Sequence, residues 1–476
     1  MTEARTAGGP AATGKEPPFE EGGRVAVIGL GRSGVAAARL AHRRGARVYA
    51  SDYVEGDAQQ EAAAALRDEG VDAEAGRHDM ERILECDLAV VSPGVGPTTE
   101  VRRALREGGL RTIAEIELAW RYLEARVVAV TGTNGKTTTT ALCGHTVRTA
   151  GLHAETAGNI GRPLSEVPLL EEQPDWVVVE VSSFQLADVE DFRPDVGVLL
   201  NLAPDHLDRY RNVDRYYADK RRLFANATPE CRWVLNADDE MVMTLVDGTE
   251  GELYHYSTER RLAEGAFLDD EDGLRLEIGD RSERWCGVED LELVGRHNVS
   301  NALAAGLAAA LAGCGGEGIG RGLTSFEALP HRLQPVRWDE RGVLWVNDSK
   351  ATNVAATAVA VRAFDRPYVL LMGGRGKGEP FDELIPMLRA RARGLVAFGE
   401  SAPQIVSELG DAVPRLRTES GMSAVVRAAS GLAEAGDVVL FSPACSSFDM
   451  YPDYRARGEA FVEAVRALHG DGGGTP

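Results

Sequence analysis

The feature that most narrows the fold is an apolar run, Val127-Val-Ala-Val130, that passes straight into Thr131-Gly-Thr-Asn-Gly-Lys-Thr-Thr138 and then into a helical stretch ending at Thr149. A buried strand, then glycines, a lysine and hydroxyls at the start of a helix, is the context of a P-loop. Backbone N–H groups and the helix N-terminus face phosphate, Lys136 offsets its charge, and Thr137 can ligate magnesium. The spacing is compact, because the longer GxxxxGK[ST] form places a glycine where Val130 stands. Gly132, Thr133, Asn134, Gly135, Lys136, Thr137 and Thr138 are therefore candidate phosphate-binding residues.

The same strand-into-loop opening occurs at Arg24 to Ile28 and at Val343 to Val346, and apolar runs alternate with Ala-rich helical stretches between them. That alternation predicts an α/β protein with parallel strands joined by crossover helices. A chain of 476 residues exceeds one ordinary core and suggests about three domains. Breaks at Gly108-Gly109 and Ala328-Leu-Pro330 divide it into a disordered leader at 1–22, domains at 23–114, 115–329 and 330–468, and a flexible tail at 469–476. Asn301 to Ala312 reads as a buried helix.

The leader lacks the cationic start and apolar stretch of a secretory signal, and no run approaches the ~18 apolar residues of a membrane span. The six cysteines contain no CxxC pair, which disfavours a disulfide framework or a zinc site and fits a reducing cytoplasm. A net charge of −22 argues against a nucleic-acid surface, so anionic ligands need local cationic pockets.

Gly29-Leu-Gly-Arg-Ser-Gly34 follows the first strand, and Asp52 ends the next one. This has the form of a dinucleotide fingerprint, but the physics asks only for a diphosphate at a helix N-terminus and a carboxylate near a ribose or base. Any nucleotide diphosphate would serve, and a ligand-free tight turn is the bland alternative. Ser92 to Gly96, after Leu88 to Val91, offers a second close-approach surface. Glu180 ends the apolar strand Trp176-Val-Val-Val and, following a P-loop, becomes a magnesium candidate. His206, in the stretch Asn201 to Asp208 after another strand, carries weight only through that position. In the third domain Lys350 and Thr352, Lys377, and Ser446 with Ser447 each follow a separate strand, so three loops could assemble the anion sites that an amino diacid needs.

Together these residues resemble the muramyl ligases of peptidoglycan synthesis. The carriers are TGTNGKTT at 131–138, GNIG at 158–161, EVSSFQL at 180–186, NLAPDHLDRY at 201–210, GRHNVSNALAA at 295–305, HR at 331–332, NDSKATN at 347–353 and SPACSSFD at 442–449. The resemblance implies three domains: a Rossmann-like N-terminal one, a central P-loop ATPase domain with a mostly parallel sheet, and a Rossmann-like C-terminal one. It implies ATP and two magnesium ions as cofactors, with Thr137, Glu180, His206 and Lys220 around the metals, Lys220 being carbamylated. Asn298, Asn301, Arg332 and Asp348 are then expected around ATP. Gly31, Arg32, Ser33, Asp52 and Asn159 become the UDP-sugar residues, although several relatives have a hydrophobic residue at the position of Arg32. The amino-acid residues would be Lys350, Thr352, Lys377, Ser446, Ser447 and Tyr454.

The expected substrates are UDP-N-acetylmuramoyl-L-alanine, D-glutamate and ATP, handled by a cytoplasmic monomer with no nucleic-acid or membrane partner. Lys136 and the two metals would offset phosphate charge while the substrate carboxylate attacks the γ-phosphorus. The glutamate amine would then attack the resulting acyl phosphate to give a tetrahedral intermediate. Ligand binding is expected to close the domains and exclude water. A sister ligase such as folylpolyglutamate synthase leaves residues 29–52 without a purpose. An NAD-dependent oxidoreductase leaves 131–138 unexplained, and a non-catalytic nucleotide-binding regulator predicts ATP binding without turnover. The D configuration of the glutamate rests on the resemblance alone.

Overall fold

The computed structural model describes residues 15–205 and 209–470. Its strands are the runs of Val, Ile, Leu and Ala, and most are buried on both faces, as parallel sheets covered by helices require. Among the described residues they form three sheets.

The first sheet contains Arg24–Ile28, Arg47–Asp52, Asp72–Ala75, Leu88–Val91 and Thr112–Ala114, all parallel. Its spatial order by chain position is third, second, first, fourth, fifth. The order reverses between the first and fourth strands. The loops leaving Ile28 and Val91 therefore lie side by side at a topological switch point, where such sheets bind ligands.

The nine-stranded sheet places Arg126–Thr131 between Trp176–Glu180 and Val196–Leu199, in parallel register with both. Val127 to Val130 are fully buried, and each such aliphatic contributes about 1.5–3 kcal/mol on leaving water. The loop that follows thus stands on a rigid strand. An antiparallel hairpin, Gly273–Ile278 with Arg281–Gly287, closes one edge. The six-stranded sheet carries Leu344–Asn347, Val438–Phe441 and Tyr368–Gly373 side by side and parallel, with Gln334–Trp338 antiparallel at its edge. The helix Arg296–Leu311 is Ala-rich and buried from Ala302 onward, as expected.

The described residues group into two compact units. One runs to Val288 and adds Ser300–Leu323, and holds the first two sheets; the other has Glu289–Val299 and the residues from Thr324, and holds the third. Glu289–Val299 falls in the second unit because the backbone at Gly295 lies against Ala363, where an added Cβ would sit 3.0 Å from the carbonyl oxygen.

The expected leader and tail need correction at their described ends. Lys15 donates to the carbonyl of Leu123 (2.8 Å) and lies over the Trp120 ring, and Phe19 meets Tyr122 at 6.0 Å between centroids. Arg121 and Arg111 donate to the carbonyls of Glu16 and Pro18. One aromatic contact and those of three cations, all with residues about a hundred positions away, fix a segment whose Gly/Pro/Ala composition reads as loose. At the other end, the helix Tyr454–His469 includes His469, whose ring meets Trp345 at 5.3 Å. Residues 1–14 and 471–476 lie outside the described residues. Among those described, no helix is long and apolar enough to cross a membrane.

Candidate active site

The loop after Thr131 turns on two glycines, Gly132 (φ 147°) and Gly135 (φ 83°), both in the region that L side chains avoid. Gly135 also has no room for a side chain: a Cβ there would lie 2.4 Å from Asn301 Oδ1. The helix Lys136–Thr149 starts at Gly135 without a side-chain cap, so its first N–H groups face outward as a phosphate cradle. Asn201 pins the loop from the neighbouring strand end. Its side chain accepts from Asn134 N (2.8 Å) and donates to Asn134 O (3.1 Å), while its carbonyl accepts from Thr133 N (2.9 Å). Lys136 Nζ curls over the loop onto the carbonyls of Gly132 and Thr133. Asn301 packs against the same helix, its Oδ1 3.2 Å from Thr139 Oγ1. Thr137 is buried in the first turn and Thr138 is half-buried beside it.

Glu180 ends its strand next to this loop and is 1% exposed. Its Oε1 accepts from Asn159 Nδ2 (2.7 Å), and Asn159 N donates to its carbonyl (3.0 Å), which ties the GNIG stretch to the carboxylate. Its Oε2 is buried without a partner among the described residues. Such an atom is costly unless something cationic meets it. Lys220 is buried too, and its Nζ donates to Gly132 O at 2.7 Å. Burial and the neighbouring Lys136 hold its amine well below the ordinary lysine range, against opposing pulls from Asp205 and Glu180. Lys136, Glu180 and Lys220 thus share one sheet edge. His206, expected among them, lies outside the described residues, and among those described no group of three or more His, Cys, Asp or Glu side chains is placed to hold a metal ion.

At the first sheet, Gly34 is required by packing, since a Cβ there would overlap the carbonyl oxygen of Gly29 at 1.8 Å. The helix Arg32–Arg43 begins at Gly31 with no side-chain cap and no acid in its first turn, and a Cβ on Gly31 would meet nothing within 4 Å. Asp52 braces this loop: Oδ2 accepts from Leu30 N (2.7 Å) and Oδ1 from Val54 N (2.9 Å). Ser33 is half-exposed beside Arg32, and Arg32 reaches across to donate to the carbonyl of Gly161 in the GNIG stretch.

In the second unit, Asn298 donates to Val294 O (2.8 Å). Asp348 is fully enclosed, accepting from Leu333 N (3.2 Å) and Ser442 Oγ (2.8 Å), and burial raises its carboxyl to about 7. Arg332 follows His331, one of four non-glycine residues with positive φ among those described. Lys350 Nζ lies 5.7 Å from the Tyr454 ring centroid. Ser446 Oγ donates to Arg375 O, Ser447 is buried, Thr352 is half-buried and Lys377 is exposed. Three parallel strand ends therefore bring the loops of Lys350, Lys377 and Ser447 to one edge, as their sequence positions implied.

The family model of the MurD-like N-terminal domain of Mur ligases matches residues 23–114, the Mur ligase middle domain matches 130–309, and the Mur ligase glutamate ligase domain matches 331–445. A protein of Acidobacterium capsulatum named UDP-N-acetylmuramoylalanine--D-glutamate ligase is 40% identical over 453 residues, 94% of this chain and 97% of its own. A Salinibacter ruber protein of the same name is 43% identical over 455 residues, 94% and 98% of the two chains. The chain belongs to the Mur ligase family. Its fold is also that of UDP-N-acetylmuramate-alanine ligase MurC from Thermotoga maritima (TM-score 0.56, 20% identity, 94% of this chain and 100% of that one). A pseudomurein peptide ligase type C from Methanothermus fervidus is similar to the same degree (TM-score 0.57, 20%, 94% and 100%).

Two supports of this Mur ligase site escape sequence reasoning. Arg457 is 1% exposed, and its guanidinium donates to Ser349 O (2.8 Å), Ser349 Oγ (3.1 Å) and Cys445 O (2.9 Å), tying the Lys350 loop to the Ser446 loop. Burial lowers it to about 10. In sequence it is one arginine of Tyr454-Arg-Ala-Arg457, which reads as solvated helix charge. Glu117 is fully buried and accepts from the N–H groups of Glu190, Asp191 and Phe192 while pairing with Arg121 (2.8 Å). It fixes the chain that leaves the Glu180 loop. Its one signal is an acid placed among the apolar residues Ile116, Leu118 and Ala119.

Proposed function

We propose that this Mur ligase joins D-glutamate to UDP-N-acetylmuramoyl-L-alanine with ATP, through an acyl phosphate and a tetrahedral intermediate, in cytoplasmic peptidoglycan precursor synthesis. The names of its relatives give the two partners joined, UDP-N-acetylmuramoylalanine and D-glutamate. The observation that carries the reading is the convergence of the uncapped loop Gly132–Thr138, the unpartnered Glu180 oxygen and the Lys220 amine at one sheet edge.

The donor set fits magnesium: an unpartnered buried carboxylate oxygen, a hydroxyl at Thr137 and a lysine whose lowered proton affinity suits carbamylation. Thr137, Glu180, His206 and carbamylated Lys220 would hold two ions, which when bound offset charge on the transferring phosphoryl group. Lys136 swings from its loop carbonyls to the phosphates, and the helix N-terminus at Gly135 holds them in line. Asn298, Asn301, Arg332 and Asp348 complete the ATP residues, with Asp348 acting through the loops it fixes. Gly31, Arg32, Ser33, Asp52 and Asn159 position the UDP-sugar so that its terminal carboxylate attacks the γ-phosphorus and ADP departs. D-glutamate sits at Lys350, Thr352, Lys377, Ser446, Ser447 and Tyr454. Its neutral amine attacks the acyl carbon and phosphate leaves as the amide forms.

Domains at 23–114, 115–329 and 330–468 and a monomeric state belong to the same reading. The test is phosphate release by Lys136→Ala across a panel of UDP-sugars and amino acids. Release that needs both UDP-N-acetylmuramoyl-L-alanine and D-glutamate should vanish in the variant, and retained release would refute the assignment.

A further inference from the structure

The surface beside the first glycine loop is better furnished than that loop alone requires. Ser92 Oγ donates to Gly29 O (3.3 Å), and a Cβ on Gly29 would lie 3.3 Å from Val95 Cγ2, so the loop Ser92 to Gly96 runs directly alongside Gly29 to Gly34. Both loops are open on the outer side: neither Gly31 nor Gly94 would bring an added Cβ within 4 Å of any atom. The bed between them ends at the uncapped helix N-terminus at Gly31.

A cation from elsewhere in the chain stands at its rim. Arg209 follows the strand Val196–Leu199 of the nine-stranded sheet, yet its guanidinium reaches Pro93 O (3.3 Å) and would lie 3.9 Å from a Cβ on Gly96. Its plane is held over the ring of Phe184 at 3.9 Å, and that ring stacks in turn on Tyr210. Stacking fixes a guanidinium without using its N–H donors. One donor goes to Pro93, and no carboxylate among the described residues pairs with Arg209. In a chain of net charge −22, a half-buried arginine oriented by an aromatic, with no carboxylate partner among the described residues, is arranged for an external anion.

We infer that Arg209 binds the diphosphate of the nucleotide-sugar across the bed between Gly31 and Gly94, as its fork partner opposite the helix N-terminus. The inference rests on the UDP reading of the 29–34 loop and adds a residue from the nine-stranded sheet to it.

The experiment is calorimetric titration of the full chain, without ATP, with uridine, UMP and UDP, comparing wild type, Arg209→Gln and Arg209→Lys. Arg209→Gln removes the charge and Arg209→Lys keeps it, and a thermal melt of each variant checks that the fold persists. Wild type should bind UDP more tightly than uridine. Arg209→Gln should weaken UDP about ten-fold while leaving uridine within about two-fold, and Arg209→Lys should fall between. An equal loss for UDP and uridine makes Arg209 a structural tie only and overturns the inference, as does UDP binding unchanged in Arg209→Gln. A wild-type protein that does not distinguish UDP from uridine would refute the diphosphate reading of the glycine loop itself, and this inference with it.

Discussion

Glu115→Gln should stabilise this protein at alkaline pH and not at acid pH. Glu115 begins the helix after the first sheet and is 1% exposed. Its Oε1 accepts from Ser165 N (2.6 Å), just past the GNIG stretch, and its Oε2 has no hydrogen-bond partner among the described residues. Burial dominates over that hydrogen bond and raises the carboxyl from 4.5 to about 7. An acid raised in the folded state holds its proton more tightly there than in the unfolded chain. Its contribution is therefore fully favourable below about 4.5 and is lost as pH rises through about 7. The interval between those values corresponds to about 3 kcal/mol at 1.36 kcal/mol per pH unit, an upper figure. The glutamine is isosteric with the protonated acid, keeps an oxygen for Ser165 N and never ionises. The assay is denaturant unfolding of both proteins at pH 4.5, 7 and 8.5 at constant ionic strength. Using the difference between the two proteins cancels other titrating groups, Asp348 among them. Glu115→Gln should be more stable by about 2 kcal/mol or more at pH 8.5, and the two should come within about 0.5 kcal/mol at pH 4.5. A difference that stays flat across this range, or a variant less stable at pH 8.5, would refute the reasoning.

Three further perturbations probe the sheet edges. Gly135→Ala places a methyl 2.4 Å from Asn301 Oδ1 at φ 83°. The left-handed strain alone costs about 1–2 kcal/mol, so ATP affinity by titration should fall about ten-fold or more. In buffer containing 13C-bicarbonate, Lys220 should give a carbamate carbon resonance that is absent from Lys220→Arg, whose guanidinium stays charged; identical spectra would remove Lys220 from the metal set. Arg457→Lys cannot reach Ser349 and Cys445 together, and should raise KM for D-glutamate about ten-fold and lower stability by about 3 kcal/mol; a lowered Tm with KM unmoved would make Arg457 purely structural.

The backbone was legible because its signals are local. A run such as Val127 to Val130 can bury itself only as an inner strand, and the glycines after it are forced by φ or by contact, so strand, loop and helix follow from neighbours in sequence. The strands at 24, 88, 127, 176 and 343 needed no distant partner to be read, and they begin or end within one or two residues of the runs that announced them. The hairpin over 273–287 left no comparable trace, because its second strand opens with four polar residues, Arg281-Ser-Glu-Arg284, and no continuous apolar run announces it. Lys15 to Gly22 misled for the opposite reason: what orders that segment is carbonyl groups, which every sequence carries, met by Arg111 and Arg121 from roughly a hundred residues away.

The site divides along the same line. Lys136, Glu180 and Lys350 stand at strand ends, where the topology delivers a side chain to the ligand edge whatever the rest of the chain does. Arg457, Glu117 and Arg209 act through backbone groups far away in sequence, at Ser349, Phe192 and Pro93. Their chemistry is set by burial and by a carbonyl or N–H partner, neither of which has a one-letter signature. Each holds a loop rather than a strand, and a loop 1 Å out of place can cost about 100-fold in rate. The residues that read as surface charge are thus the ones that fix where the readable residues point. A substitution scan of this Mur ligase guided by motifs alone would pass over them.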